Sequence, residues 1–246
     1  LSGRFVWAAG ALRAKNSRML DLRGKVVSLA DVQALQQKLP QCRVLWNATV
    51  GGEQHSSDDV SLHVDNPTEE DWANLEQFSD LRALRANGVT DLEALRRFRQ
   101  SHPECQVLGS LILDGTEYPD NAREIALSTA QTDMLDAVLV MLQGVRQVTL
   151  TGGAPSRETL QTLLEAYPDI SFCWEEAGIF IESGSDTLNL GEAHCSVDQI
   201  RAWIALLPNL QRVEMGASSL AIPELAALSQ EFPEILFFQE VDVQGH

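Results

Sequence analysis

The stretch YPDISFCW, residues 167–174, follows an amphipathic run and leads into a strand-like one. A proline one or two residues past a helical period is a stop signal, because its ring and its missing N–H cannot continue the helix. The apolar residues behind it then read as a short buried strand. The same arrangement returns as LPQCRVLW at 39–46, HPECQVLG at 102–109 and FPEILFFQ at 232–239. The prolines of the four segments, Pro40, Pro103, Pro168 and Pro233, are spaced by 63, 65 and 65 residues. A fixed period of that length marks a repeated supersecondary unit.

Two further phases repeat with it. SRMLDLRG (17–24), LRALRANG (81–88), VRQVTLTG (145–152) and LQRVEMGA (210–217) share apolar residues at fixed offsets. VSLHVDN (60–66), EIALSTA (124–130) and TLNLGEA (187–193) form the other set. One unit of about 64 residues therefore holds three strand-like segments, at steps of roughly 20 residues that suit leucine-rich repeats. Two of the three steps predict a helix. Asn66 reads as an N-cap with Pro67 at the first helical position, and Trp72, Leu75 and Phe78 share one face. Thr90–Glu93 and Ser196–Gln199 read as capping boxes. Leu92, Leu95 and Phe98 follow the first box, and Ile200, Trp203 and Leu206 follow the second. The third step, as in VLGSLILDGTEYPDN and FCWEEAGIFIESGSD, has no helical period and reads as one long strand or a hairpin.

The fold these patterns predict is an α/β leucine-rich-repeat-like solenoid of about 64-residue units, each with three strands and two helices. It would be a single repeat domain over 1–246, with a partial copy at 1–52 and copies at about 60–118, 123–182 and 187–246. Residues 1–16 loosely match the place of the first helix of the first copy, with a frayed stub as the alternative. The chain begins at Leu1 rather than Met, so a longer or processed product is expected.

Composition narrows the function classes. Lys and Arg number 18 against 35 Asp and Glu, a net charge of −17. Nucleic acid and anionic membrane surfaces call for a basic footprint, so neither is an expected partner. No apolar run reaches the roughly 18 residues of a membrane span. Cys42, Cys105, Cys173 and Cys195 contain no C-x-x-C pair, which leaves metal and thioredoxin-type readings unsupported. Cys42 and Cys105 share a slot two residues past the proline and read as small core hydrophobes, as does Cys173. His102 stands where Tyr167 and Phe232 stand in other copies and reads as a packing variant.

The pattern of L-x-L, helix, LPNLQRVEM at 207–215, helix and YPDISFCW at 167–174 resembles the divergent leucine-rich-repeat proteins of the surface of gut Firmicutes. The resemblance covers nearly the whole chain. It departs at Gly109 and Gln239, which stand in the slot held by Trp46 and Trp174. It implies an extracellular or cell-surface location in a bacterium, and it brings no catalytic residues with it.

Candidate chemistry can be weighed against the repeat, since structural residues should recur and functional ones should stand out. LTGGAPSRETL at 150–160 has the strand, glycines and helix start of a phosphate loop, but no lysine follows. RANGVTDLEAL and MGASSLAIPEL hold the same position in other copies, so the loop reads as a strand-to-helix turn. Asp58, Asp59, Asp120 and Asp186 recur before the first strand of a unit and read as turn residues. No catalytic, cofactor or metal residues are predicted. The remaining candidates are the outward positions of the strands, His63, Asp65, Arg85, Thr149, Asn189 and Glu214. They predict a non-enzymatic module that binds a protein or peptide on its strand face, with a structural spacer as the alternative. A hydrolase would need two carboxylates converging in a cleft.

Overall fold

The computed structural model describes residues 18–216 and 220–239. The segments predicted at 1–16 and within 217–219 lie outside them. No helix among the described residues is long and apolar enough to cross a membrane. The described residues divide into two compact units, 18–112 with 136–141, and 113–135 with 142–216 and 220–239.

The first unit opens with β1 (Met19–Asp21), α1 (Leu29–Lys38), β2 (Arg43–Leu45) and a hairpin of β3 (Asn47–Val50) and β4 (Glu53–Ser56). It continues through β5 (Ser61–Asp65), α2 (Glu69–Leu75), β6 (Ala83–Val89), α3 (Leu92–Ser101) and β7 (Gln106–Leu113). β1 and β2 pair in parallel, as do β5 with β6 and β6 with β7. Leu62, Val64, Leu84, Ala86 and Val107 point from these three parallel strands into the core. Trp72 of α2 and Phe98 of α3 lie in that core, with ring centroids 5.7 Å apart. His102 is buried with its ring stacked on Phe98 at 4.5 Å, the packing role its slot predicts.

In chain order the second unit begins with the return strand β8 (Thr116–Pro119) and β9 (Glu124–Ser128). A 3-10 turn at Thr129–Met134 leads to α4 (Leu135–Met141), most of which clusters with the first unit. Then come β10 (Gln147–Thr151), α5 (Arg157–Ala166), β11 (Ser171–Glu176) and β12 (Ile179–Glu182). The last module is β13 (Thr187–Asn189), α6 (Val197–Ile204), β14 (Arg212–Glu214), α7 (Ile222–Glu231) and β15 (Leu236–Phe238). β9, β10 and β11 are parallel neighbours, and so are β13, β14 and β15.

The four prolines act at one point. Leu39, His102, Tyr167 and Phe232 each precede one and each cap a helix, with φ between −125° and −131° and ψ between 61° and 72°. A residue before proline is pushed out of the α region by the proline ring, so the helix must end there. Each cap still donates its N–H to the carbonyl four residues back. Each cap carbonyl then accepts from the N–H three residues on, that of Cys42, Cys105, Ile170 or Ile235. Cys105 and Cys173 are buried thiols, and Cys42 is half-buried. Ser196 and Gln199 form the predicted capping box. The other two helix starts lie further along than expected. Thr68, boxed with Asp71, caps α2 in place of Asn66, and Asp91 caps α3 in place of Thr90. Asn66 instead takes a left-handed turn conformation with φ 48°.

The solenoid is overturned. The described strands form five small sheets of two to four strands, in the orders β1-β2, β3-β4, β5-β6-β7-β8, β12-β11-β10-β9 and β13-β14-β15, with seven α-helices. A solenoid needs the third strand of one unit to pair with the first strand of the next. In the second unit that edge is taken, because β12 folds back antiparallel on β11 from Glu176↔Ile179 to Cys173↔Glu182. β13 then starts a separate sheet. The step with no helical period is thus a hairpin whose return arm closes the sheet edge. A buried serine clasps two of these arms. Ser57 exchanges hydrogen bonds with the Trp46 backbone (2.8 and 3.1 Å), and Ser183 does so with the Phe172 backbone (2.8 and 2.9 Å).

Candidate functional site

Parallel sheets are normally covered on both faces. Among the described residues, the outward face of β5 and β6 is not covered. Along β5 burial alternates, with Leu62 and Val64 inward and Ser61, His63 and Asp65 exposed. Arg85 of β6 lies directly beside His63, and Asn87 beside Asp65. This brings three predicted residues, His63, Asp65 and Arg85, onto one open face. Asn87 ties two of them together. Its amide reaches the Asp65 carboxylate at 2.7 Å and the His63 ring at 3.1 Å, and His63 contacts Asp65 at 3.1 Å. The Asn87 amide first, and His63 after it, hold the Asp65 carboxyl below the ordinary carboxylate range. Asn87 occupies the next outward position after Arg85 in β6, so strand alternation was the signal that could have found it.

A second cluster forms in the last module. Asn189 of β13 neighbours Glu214 of β14 and donates its amide to the Glu214 carboxylate at 2.9 Å. Arg212 pairs with Glu214 at 3.0 Å and lies 3.9 Å over the centre of the Phe238 ring. Leu236 and Phe238 of β15 point outward on the same face, 62% and 45% exposed. The sequence reading missed Arg212, Leu236 and Phe238. Their period-2 spacing from Glu214 and from each other carried the signal. Thr149 stands apart from both clusters. It sits on β10 between Ala126 and Cys173, and Cys173 is fully buried, so this face is only half open. The six predicted residues thus do not form one site. They fall on three sheets, of which two have open faces.

The glycine loop serves as a turn. Gly152 and Gly153 take φ of 81° and 122°, conformations that favour glycine, and carry β10 toward α5. Ser156 caps that helix by accepting from the Thr159 N–H at 3.1 Å. Among the recurrent acids, Asp59 accepts from the Ser56 N–H at 3.0 Å, and the Ser56 hydroxyl donates to Asp58. These are the turn contacts expected of them. Among the described residues, no group of three or more His, Cys, Asp or Glu is placed to hold a metal.

A cleft of about 640 Å³ opens in the first unit. It is lined by the strap Gly24–Leu29 between β1 and α1, by Trp46 and residues of β3, and by Gln54, Glu70 and Asn74. Asn74 donates to the Thr49 carbonyl at 2.9 Å, and Gln54 donates to the Thr49 hydroxyl at 2.5 Å. Asp71 braces the hairpin beside it, accepting from the Gly51 N–H at 2.7 Å and the Thr68 N–H at 2.8 Å. Burial pushes the Asp71 carboxyl up, but these hydrogen bonds outweigh it and hold the group below the usual range. Glu70 is the one carboxylate among the described residues that line the cleft. The chain matches no protein-family model and no curated protein sequence.

Proposed function

We propose that the protein is a non-enzymatic binding module that takes up a protein or peptide partner on its open strand faces. The observation that supports this most is the uncovered outward face of β5 and β6, where Asn87 fixes His63 and Asp65 beside Arg85. Side chains locked in place before binding lose little entropy when a partner arrives. The last module adds what an interface core uses: an exposed aromatic and an aliphatic side chain beside an arginine. The resemblance of 167–174 and 207–215 to surface proteins of gut Firmicutes supports an exported, surface-exposed setting. The test is selection of peptides from a random displayed library against the purified chain. Selected peptides should lose at least about tenfold in affinity for the double variant Arg85→Glu, Asn87→Ala or for Phe238→Ala. Peptides that bind these variants as they bind the parent would overturn the reading.

A further inference from the structure

We propose that the cleft of the first unit binds a small zwitterion, a free amino acid or a short peptide with free termini. This site is separate from the open strand faces and uses none of their residues. Its volume of about 640 Å³ falls in the range of small-ligand sites and exceeds what one amino acid fills.

The charges at its edge select the ligand. Lys25 and Glu70 both line the cleft, and neither forms an ion pair among the described residues, with each other or with any other group. One cation and one anion among the lining residues match a ligand that carries both signs. A polyanion such as a nucleotide would meet a single lysine, the Glu70 carboxylate and a chain of net charge −17. A simple cation would meet Lys25.

The rest of the lining suits the remainder of an amino acid. Trp46, Val27, Leu29 and Ala48 supply apolar lining for a side chain. Asn47 supplies an amide group able to donate and accept for a peptide unit. The ligand carboxylate is assigned to Lys25, and its ammonium to Glu70.

Calorimetric titration with L-leucine, Leu-Leu, Leu-Leu amide and N-acetyl-Leu-Leu tests the assignment. Leu-Leu should bind the parent protein, and each end-blocked form should bind about tenfold more weakly, the effect of one lost charge-assisted hydrogen bond. Lys25→Met should bind Leu-Leu and Leu-Leu amide alike, and Glu70→Gln should no longer distinguish Leu-Leu from N-acetyl-Leu-Leu. Both residues are exposed, so both variants should keep the parent circular dichroism spectrum. L-leucine binding as tightly as Leu-Leu would identify a free amino acid as the ligand, and weaker binding would identify a peptide. Three results would each overturn the proposal: no binding of either probe at about 10 mM, equal binding of free and blocked forms to the parent, or variants that bind and discriminate like the parent. None of these bears on the strand faces, which the peptide selection tests through Arg85, Asn87 and Phe238.

Discussion

Gly109 stands where two other copies carry tryptophan, and replacing it with alanine should be among the most damaging small changes in the chain. Its backbone has φ 134°, a conformation that L side chains rarely adopt. A Cβ there would lie 2.5 Å from the Ala86 carbonyl carbon and closer still to its oxygen. Ala86 is its register partner in β6, at the point where the β6–β7 ladder shifts. Gly109→Ala therefore combines backbone strain of about 1–3 kcal/mol with a backbone clash. The clash can be relieved only by parting two paired strands, at about 1 kcal/mol for each hydrogen bond lost. The sum is about 3–5 kcal/mol. Gly153 is the matched control, with φ 122° and no atom within 4 Å of the added Cβ. Gly153→Ala should show the strain alone. Amide exchange read by mass spectrometry reports each effect locally, through the peptides that span β6–β7 and the β10–α5 turn. Equal losses for the two variants, or a loss below about 1 kcal/mol at Gly109, would refute the close approach of β6 and β7 at that point.

Asp71→Ala should cost about 2 kcal/mol, since it removes half of the capping box and leaves the Thr68 and Gly51 N–H groups without their acceptor. The Asp71 carboxyl is depressed in the folded state, so the stability it contributes is complete above the free value of about 4 and is lost as pH falls through its lower folded value. Urea titrations should therefore show parent and variant converging below about pH 4, and a gap that stays constant down to pH 2 would count against this role. Ser183→Ala should cost about 1–3 kcal/mol by leaving the Phe172 N–H unpaired, and amide exchange should quicken in β11 and β12 before the rest of the second unit. Burial pushes the Cys173 thiol up to about 11, and Cys105 is raised for the same reason. Iodoacetamide mapping of the native chain should label half-buried Cys42 ahead of both, and early labelling of Cys173 would contradict its burial.

The period was legible because its cause is local. Each proline constrains the residue before it, so helix ends at Leu39, His102, Tyr167 and Phe232 can be read directly. Helix starts were less sharp. Asn66 and Thr90 compete with Thr68 and Asp91, and which one caps depends on where the preceding turn leaves the chain. The solenoid failed for a non-local reason. A period shows that units recur, but not which strand edge a unit offers to the next. In the second unit, that was decided by the turn at Ala177 and Gly178, which sends β12 back onto β11. The open face was half legible. Strand alternation placed His63, Asp65 and Arg85 together, but the bridge made by Asn87 needed the register of β5 against β6. Thr149 shared the alternation and still differed, because its neighbour Cys173 is buried.

The central claim is that the open strand faces, and not the helical surface, receive a partner. Photo-crosslinking with a benzophenone amino acid tests it most directly, placed at position 85 on β6 or at position 97 on exposed Arg97 of α3, in the presence of a selected peptide that loses affinity when Asn87 is replaced by alanine. The account predicts a crosslinked peptide from position 85 and none from position 97. Crosslinking from position 97 alone would contradict it.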